Sequence, residues 1–298
     1  MRNVFASNLL EKAKSDSRII LIVGDLGYGV FDEFESQLPK QYLNLGVTEQ
    51  ASMSFVAGLA SEGFRPFYYS IANFPTFRCL EQIRNDIAYM KNPVTIVSVG
   101  AGYAYSSHGY THHAVEDLAI MRSIFPDTIY SPYSTITVTK SLNEILESNK
   151  PAYLRLGVDD DTLIDSVNNQ HDIDVLIIYT GSLNSRVQKL IRMLSEISLN
   201  VDFMPIYHLN KDKFIENMNR IESAKLVVSI EEHSLIGGLG SFILEFLSDQ
   251  SKNVRILRFG LNSEPLHVSA PRDILLDQSG LDCEEMFTRI KNFLQLIN

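Results

Sequence analysis

The stretch Asn44-Leu-Gly-Val-Thr-Glu-Gln-Ala-Ser-Met-Ser-Phe-Val-Ala-Gly-Leu-Ala-Ser-Glu-Gly63 puts one carboxylate, Glu49, at the mouth of a helix-length run of small and apolar residues. Thr48 has the chemistry of an N-cap, and an acid in the first turn suits the helix dipole. That explanation is enough for most glutamates. The run behind this one is apolar on most of its circumference, which predicts a buried helix. A carboxylate at a buried helix start needs a partner.

Working outward, β-branched runs at 18–23, 65–70, 93–99 and 152–156 alternate with helical patterns at 48–62, 76–90, 114–124 and 134–148. That order predicts an α/β fold of parallel strands joined by crossover helices. Residues 157–174 are polar, acidic and aperiodic, and read as a linker, with the boundary in 158–172. Strand patterns resume at 174–182, 225–232 and 253–260, and a last helix spans 283–297. The division is 1–165 and 173–298. The 298 residues suffice for two such domains.

Composition narrows the function. The net charge of −10, without a basic run, argues against nucleic acid. Cys79 and Cys283 form no redox or zinc spacing, which fits a reduced cytoplasm. No apolar run nears the ~20 residues of a membrane span, and the N-terminus lacks a leader pattern. The first half has no GxGxxG or GxxxxGK[ST]. Gly237-Gly-Leu-Gly240 follows a strand and opens a helix, which points to close helix–sheet packing before a phosphate cradle.

Two further clusters carry chemistry. In Asn73-Phe-Pro-Thr-Phe-Arg78 the i, i+3 pair Phe74 and Phe77 shares a helix face, as core packing or as a wall for a planar ring. In Ser106-Ser-His-Gly-Tyr-Thr-His-His113, three of the seven histidines fall within six residues. His112 and Glu116 have metal-ligand spacing if helical, but no third ligand is evident, so no metal site is assigned. Proton transfer or substrate hydrogen bonding suits the cluster better.

These stretches, with "HGYTHHAVEDLAIMRSIFPDT", "PAYLRLG" and "VVSIEEHSLIGGLGSFILEFL", resemble the transketolase and deoxyxylulose-phosphate synthase family in order and spacing over essentially the whole chain. The resemblance implies a pyrimidine-binding domain followed by a C-terminal α/β domain, and thiamine diphosphate as cofactor. It implies that Glu49 shares a proton with a ring nitrogen of the cofactor's aminopyrimidine, that Phe74 and Phe77 line the ring's pocket, and that Asp25 stands near it. His112 would contact substrate, with His108 beside it, and Arg155 would bind a substrate phosphate. The GDG motif of the family's diphosphate domain is absent from the sequence. The implied Mg²⁺ ligands therefore belong to a partner, an N-terminal diphosphate-binding subunit, most simply in an α₂β₂ assembly.

The expected reaction is transfer of a two-carbon ketol unit between sugars. Alternatives are the β subunit of a 2-oxo-acid dehydrogenase, a specialised thiamine-dependent sugar-pathway synthase, and a scaffold that has lost its chemistry. Where transketolases usually carry "GEDGPTH", this chain has "SSHGYTH". His108 replaces the acid that reads substrate hydroxyls, which leaves the sugar open.

Overall fold

The computed structural model describes residues 1–164, 172–262 and 264–297. The expected linker at 158–172 therefore lies partly outside the described residues. Ten strands are present among them: β1 (Ile19–Val23), β2 (Tyr42–Asn44), β3 (Arg65–Ile71), β4 (Thr95–Val99), β5 (Ile129–Tyr130), β6 (Ala152–Leu156), β7 (Val175–Thr180), β8 (Val201–Ile206), β9 (Leu226–Ser234) and β10 (Ile256–Leu261). The first six form one sheet in the order β2-β1-β3-β4-β6-β5 and the last four another, β10-β9-β7-β8. Every pairing between these strands is parallel.

The sequence shows why. β1 is Ile-Ile-Leu-Ile-Val and is buried at every position, as are β4, β6, β7 and β9. Strands apolar on both faces need helices on both sides, which only crossover connections supply. In the first domain one layer packs Phe5, Leu9 and Leu142 against Leu21, Phe67 and Val97. The other packs Met53, Val56 and Ile83 against Ile22, Tyr68 and Ile96. That second core continues through Leu118 and Met121 to Phe242 and Phe246 of the second domain.

Three strands escape the sequence reading: β2, β5 and β8. β2 and β5 are three and two residues long. β8 carries Pro205, which a sheet tolerates at its edge, where β8 lies. The helix expected over 76–90 is broken into Asn73–Arg78, Leu80–Gln82 and a π-helical Ile83–Tyr89. The helix expected from 114 starts at Asp117, because Ala114 is held in bridges to Ala101 and Gly102. No described helix is long and apolar enough to cross a membrane.

Candidate active site

The chain leaves β1 to one side for β2 and returns on the other side for β3. This reversal opens a crevice at the carboxyl ends of β1 and β3, where doubly wound sheets hold ligands. Asp25, Glu49 and Phe74 lie on the connections that follow β1, β2 and β3.

Asp25 takes a left-handed conformation, φ 56°. Its N–H donates to Asn44 Oδ1 at 3.0 Å, which also accepts from Gly46 N–H at 3.0 Å. Tyr28 donates its phenol hydrogen to the Asp25 carboxylate. One asparagine thus ties the end of β1 to the loop that delivers Glu49.

Glu49 opens the helix Glu49–Ser61 and is 8% exposed. Thr48 holds the N-cap position, but its side chain makes no capping bond: the hydroxyl donates to Leu45 C=O at 2.8 Å. The helix is also less enclosed than its composition suggests. Met53, Val56, Ala57 and Ala60 are buried, while Ala51, Phe55 and Gly58 face outward. The partner of Glu49 is Arg78, whose Nη1 donates to Oε1 at 2.8 Å. The same guanidinium lies 4.3 Å over the Phe74 ring. Sequence reasoning missed Arg78, because the pair is separated by 29 residues and meets only in space.

Phe74 packs edge-on against His112, with centroids 5.4 Å apart, and His112 lies 5.2 Å from His108. Tyr105 packs against His108 at 5.5 Å. The structure thus brings Glu49, Phe74, His112 and His108 into one continuous series. Phe77 stands apart at 45% exposure. His112 ends a short 3₁₀ turn and Glu116 precedes the next helix, so the two do not share a helical face. Among the described residues no group of three or more His, Cys, Asp or Glu side chains is placed to hold a metal ion.

The histidine loop is held at both ends. Gly102 and Ala114 exchange backbone hydrogen bonds of 2.9 and 3.0 Å at its neck. Asn73 Nδ2 donates to His113 C=O at 2.7 Å and to Thr111 C=O at 3.2 Å, pinning it to the helix that bears Phe74. Burial and then the neighbouring His108, His113 and Arg78 hold the His112 pKa below the ordinary imidazole value. His112 is therefore neutral near pH 7, with Nδ1 at 3.0 Å from the Thr111 hydroxyl.

Arg155 departs from the expected role. It is 1% exposed on β6, between β4 and the edge strand β5, and its Nε donates to Asp117 Oδ2 at 2.8 Å. Its Nη2 donates to Ala114 C=O and Glu232 C=O at 2.9 and 3.0 Å. A guanidinium committed in this way holds the two domains together and is not offered to a substrate. Tyr153 donates to the same carboxylate at 2.6 Å, and His233 Nε2 stands 4.0 Å from its other oxygen. His233 Nε2 accepts from Leu118 N–H at 3.1 Å, and its Nδ1–H donates to Ser234 C=O at 2.8 Å. His233 is thus a neutral interface residue, with its pKa lowered to about 4 by burial.

The glycine-rich turn is closed. Glu231 accepts from Leu239 and Gly240 N–H at 2.5 and 2.9 Å, the donors a phosphate would have used. A Cβ on Gly238 would lie 1.9 Å from Glu231 Oε2.

Comparison with known proteins identifies the family of the two domains. Residues 1–159 match the family described as transketolase, pyrimidine binding domain, and residues 166–286 match transketolase, C-terminal domain. A "putative transketolase C-terminal section" of Methanocaldococcus jannaschii is 30% identical, covering 97% of this chain and 95% of that protein. A subunit of the apulose-4-phosphate transketolase of Phocaeicola vulgatus is 29% identical over 86% of each. A solved structure described as "Split gene transketolase, inactive beta4 tetramer" superposes with a TM-score of 0.85 at 26% identity, covering 100% of this chain and 99% of that one. The chain belongs to the transketolase family, with its pyrimidine-binding domain followed by its C-terminal domain.

Proposed function

We propose that this chain is the C-terminal subunit of a split transketolase, transferring a two-carbon ketol unit between sugar or sugar-phosphate substrates, with an N-terminal diphosphate-binding subunit completing the site. The observation that carries this reading is Glu49: a nearly buried carboxylate at the sheet's crevice, with Oε1 fixed by Arg78 and an aromatic wall beside it. Such a carboxylate suits the ring nitrogen of an aminopyrimidine, and Phe74 offers a face on which the ring can pack. The residues present therefore fit the pyrimidine half of thiamine diphosphate. When bound, that cofactor supplies the carbon nucleophile and electron sink for breaking a carbon–carbon bond beside a carbonyl.

This chain's residues do the rest. Glu49 holds a proton between its carboxylate and the pyrimidine nitrogen, and its low exposure keeps water from competing for it. Asp25 orders the loop edge next to the ring. His112, neutral at working pH, exchanges a proton with a substrate hydroxyl. His108, exposed beside it, contacts the sugar's polar groups. The diphosphate and Mg²⁺ ligands come from the second subunit, most simply in an α₂β₂ complex. Phe55 and Phe77, on the two helices that carry Glu49 and Phe74, are 44% and 45% exposed and give that subunit an apolar surface to cover.

The test is reconstitution. Calorimetry on this chain with thiamine diphosphate and Mg²⁺ should show little heat. Mixing with the diphosphate-binding subunit should restore tight binding and turnover of ketose donors. Tight binding by this chain alone would overturn the split-site reading. Turnover of 2-oxo acids in place of ketoses would overturn the ketol-transfer reading.

A further inference from the structure

The loop that carries His108 and His112 belongs to the first domain, yet its neck is gripped by the second. Near its carboxyl end β9 carries Glu231-Glu232, and alternation along the strand sends these two carboxylates to opposite faces. Glu231 turns back to its own domain's helix. Glu232 crosses the domain boundary and is 3% exposed. Its Oε1 accepts from the backbone N–H of Tyr103 at 2.8 Å, one residue inside the loop neck.

Three features show that this contact is built into the fold. Gly102 has φ +58°, and a Cβ there would lie 2.3 Å from the Glu232 side chain, so only glycine admits the carboxylate. Arg272 donates from Nε to Glu232 Oε1 at 3.0 Å and from Nη2 to Ser182 C=O at 2.8 Å, fixing the carboxylate from behind. A second anchor lies at the far end of the same tyrosine, whose hydroxyl is 3.1 Å from the buried Ser279 Oγ. The Tyr103 ring then packs edge-on against His113, with centroids 4.8 Å apart. His113 is next to His112 in sequence, and its buried Nε2 lies 3.3 Å from Ser106 C=O on the other limb of the loop.

We propose that the C-terminal domain positions the histidine loop through Tyr103, with Glu232 holding its N–H and Ser279 its hydroxyl, so that His108 and His112 stand where substrate meets them. Glu232 touches no reacting atom in this scheme; it is a positioning residue. What the loop is positioned for rests on the function proposed above, but where it stands does not. The Glu232–Tyr103 bond connects residues 129 apart in sequence. Together with the Ser269 hydroxyl, which donates to Ser107 C=O at 3.3 Å beside His108, it gives the second domain a direct effect on the substrate side.

The test reads the loop itself. Histidine labelled with ¹³C at Cε1 gives separate signals for His112, His113 and His208, assigned by substitution. In Glu232→Ala the His113 signal should lose the shift imposed by the Tyr103 ring. The His112 signal should broaden, and its titration midpoint should move up toward the ordinary imidazole value as the loop loosens. His208, which contacts Glu144 and Asp127 away from this loop, should not change. In the reconstituted complex, kcat/KM should fall by up to about a hundredfold with cofactor affinity unchanged, the cost of misplacing a substrate group by about 1 Å. Unchanged His112 and His113 signals in folded Glu232→Ala protein would overturn the proposal. If that variant does not fold, Tyr103→Phe, which removes only the hydroxyl, is read by the same signals with the same two outcomes. Absence of ketol transfer would count against the function and leave the loop measurement standing.

Discussion

Two carboxylates sit at two helix mouths in this molecule, and they have opposite fates. Glu49 and Glu231 both stand at the carboxyl edge of a parallel sheet, beside a helix start. Glu231 is sealed: it is fully buried, and both its oxygens accept backbone N–H groups of the helix Leu239–Asp249. Glu49 keeps a share of the surface and takes one charged partner, on one oxygen. The same local chemistry is spent on structure in the second domain and held ready for a ligand in the first. Sheet topology alone would have allowed a ligand site in either domain, so side-chain satisfaction decides which crevice is open.

The sharpest way to break this comparison is to make the same change at both mouths. Glu49→Gln keeps shape and volume but removes the carboxylate that shares a proton. Turnover of the reconstituted enzyme should fall by ~10²- to 10³-fold, the range seen when one preorganised electrostatic group is removed. Circular dichroism and partner binding should stay as in the parent. Glu231→Gln should leave turnover within a few-fold of the parent. Near-normal turnover in Glu49→Gln would end the mechanism proposed for this chain.

The next effect is on stability, and glycines report it. Gly238→Ala forces a Cβ to within 1.9 Å of Glu231 Oε2 and 2.7 Å of His233 Nδ1, both on buried side chains that have nowhere to move. The cost should be about 3 kcal/mol, the upper range for overpacking a core, seen as a lowered midpoint in urea. Gly46, at the open mouth, has φ +67°, but nothing lies within 4 Å of the place its Cβ would take. Gly46→Ala should cost only the left-handed backbone penalty of ~1 kcal/mol. Equal costs at the two sites would show that the second mouth is not sealed as described.

How much of this was legible in the sequence follows from how far apart the interacting residues lie. The buried strands announce themselves, because a run such as Ile19–Val23 has no polar face to misread. Asp25, Glu49, Phe74 and His112 are readable as candidates for a different reason: each lies in a short local motif, whether or not the strand before it can be read, as β2 before Glu49 cannot. The failures are non-local. Arg155 reads as a ligand for an anion, and only the structure shows Asp117, 38 residues away, already holding it. A signal was present: an arginine inside a strand otherwise apolar on both faces must have a buried partner. Arg78 has no such signal, because an arginine on a half-exposed helix needs no partner. The Glu231-Glu232 pair was quotable as a motif, but strand alternation had to be combined with the position of the other domain before the two roles separated.

The smallest effect concerns pH, and it tests whether the sealed mouth is neutral. Burial raises the Glu231 pKa to about 7, against its helix N–H groups and the more distant Arg155 and Arg258. Burial lowers that of His233 to about 4. The two side chains lie 3.9 Å apart, with both carrying no charge between those values. A raised carboxyl pKa contributes stability that is present below its unfolded value and is lost as pH rises through about 7. A lowered histidine pKa contributes stability that is present above its unfolded value and is lost as pH falls through about 4. Between about pH 4.5 and 6.5, the ordinary values of the two groups, their slopes oppose each other and largely cancel. The parent should therefore show little pH dependence of Tm from this pair across that window. Glu231→Gln removes one slope and exposes the other, so its Tm should climb with pH over the same window. A parallel shift of the whole profile would mean that Glu231 is ionised in the fold and that its helix N–H groups outweigh its burial.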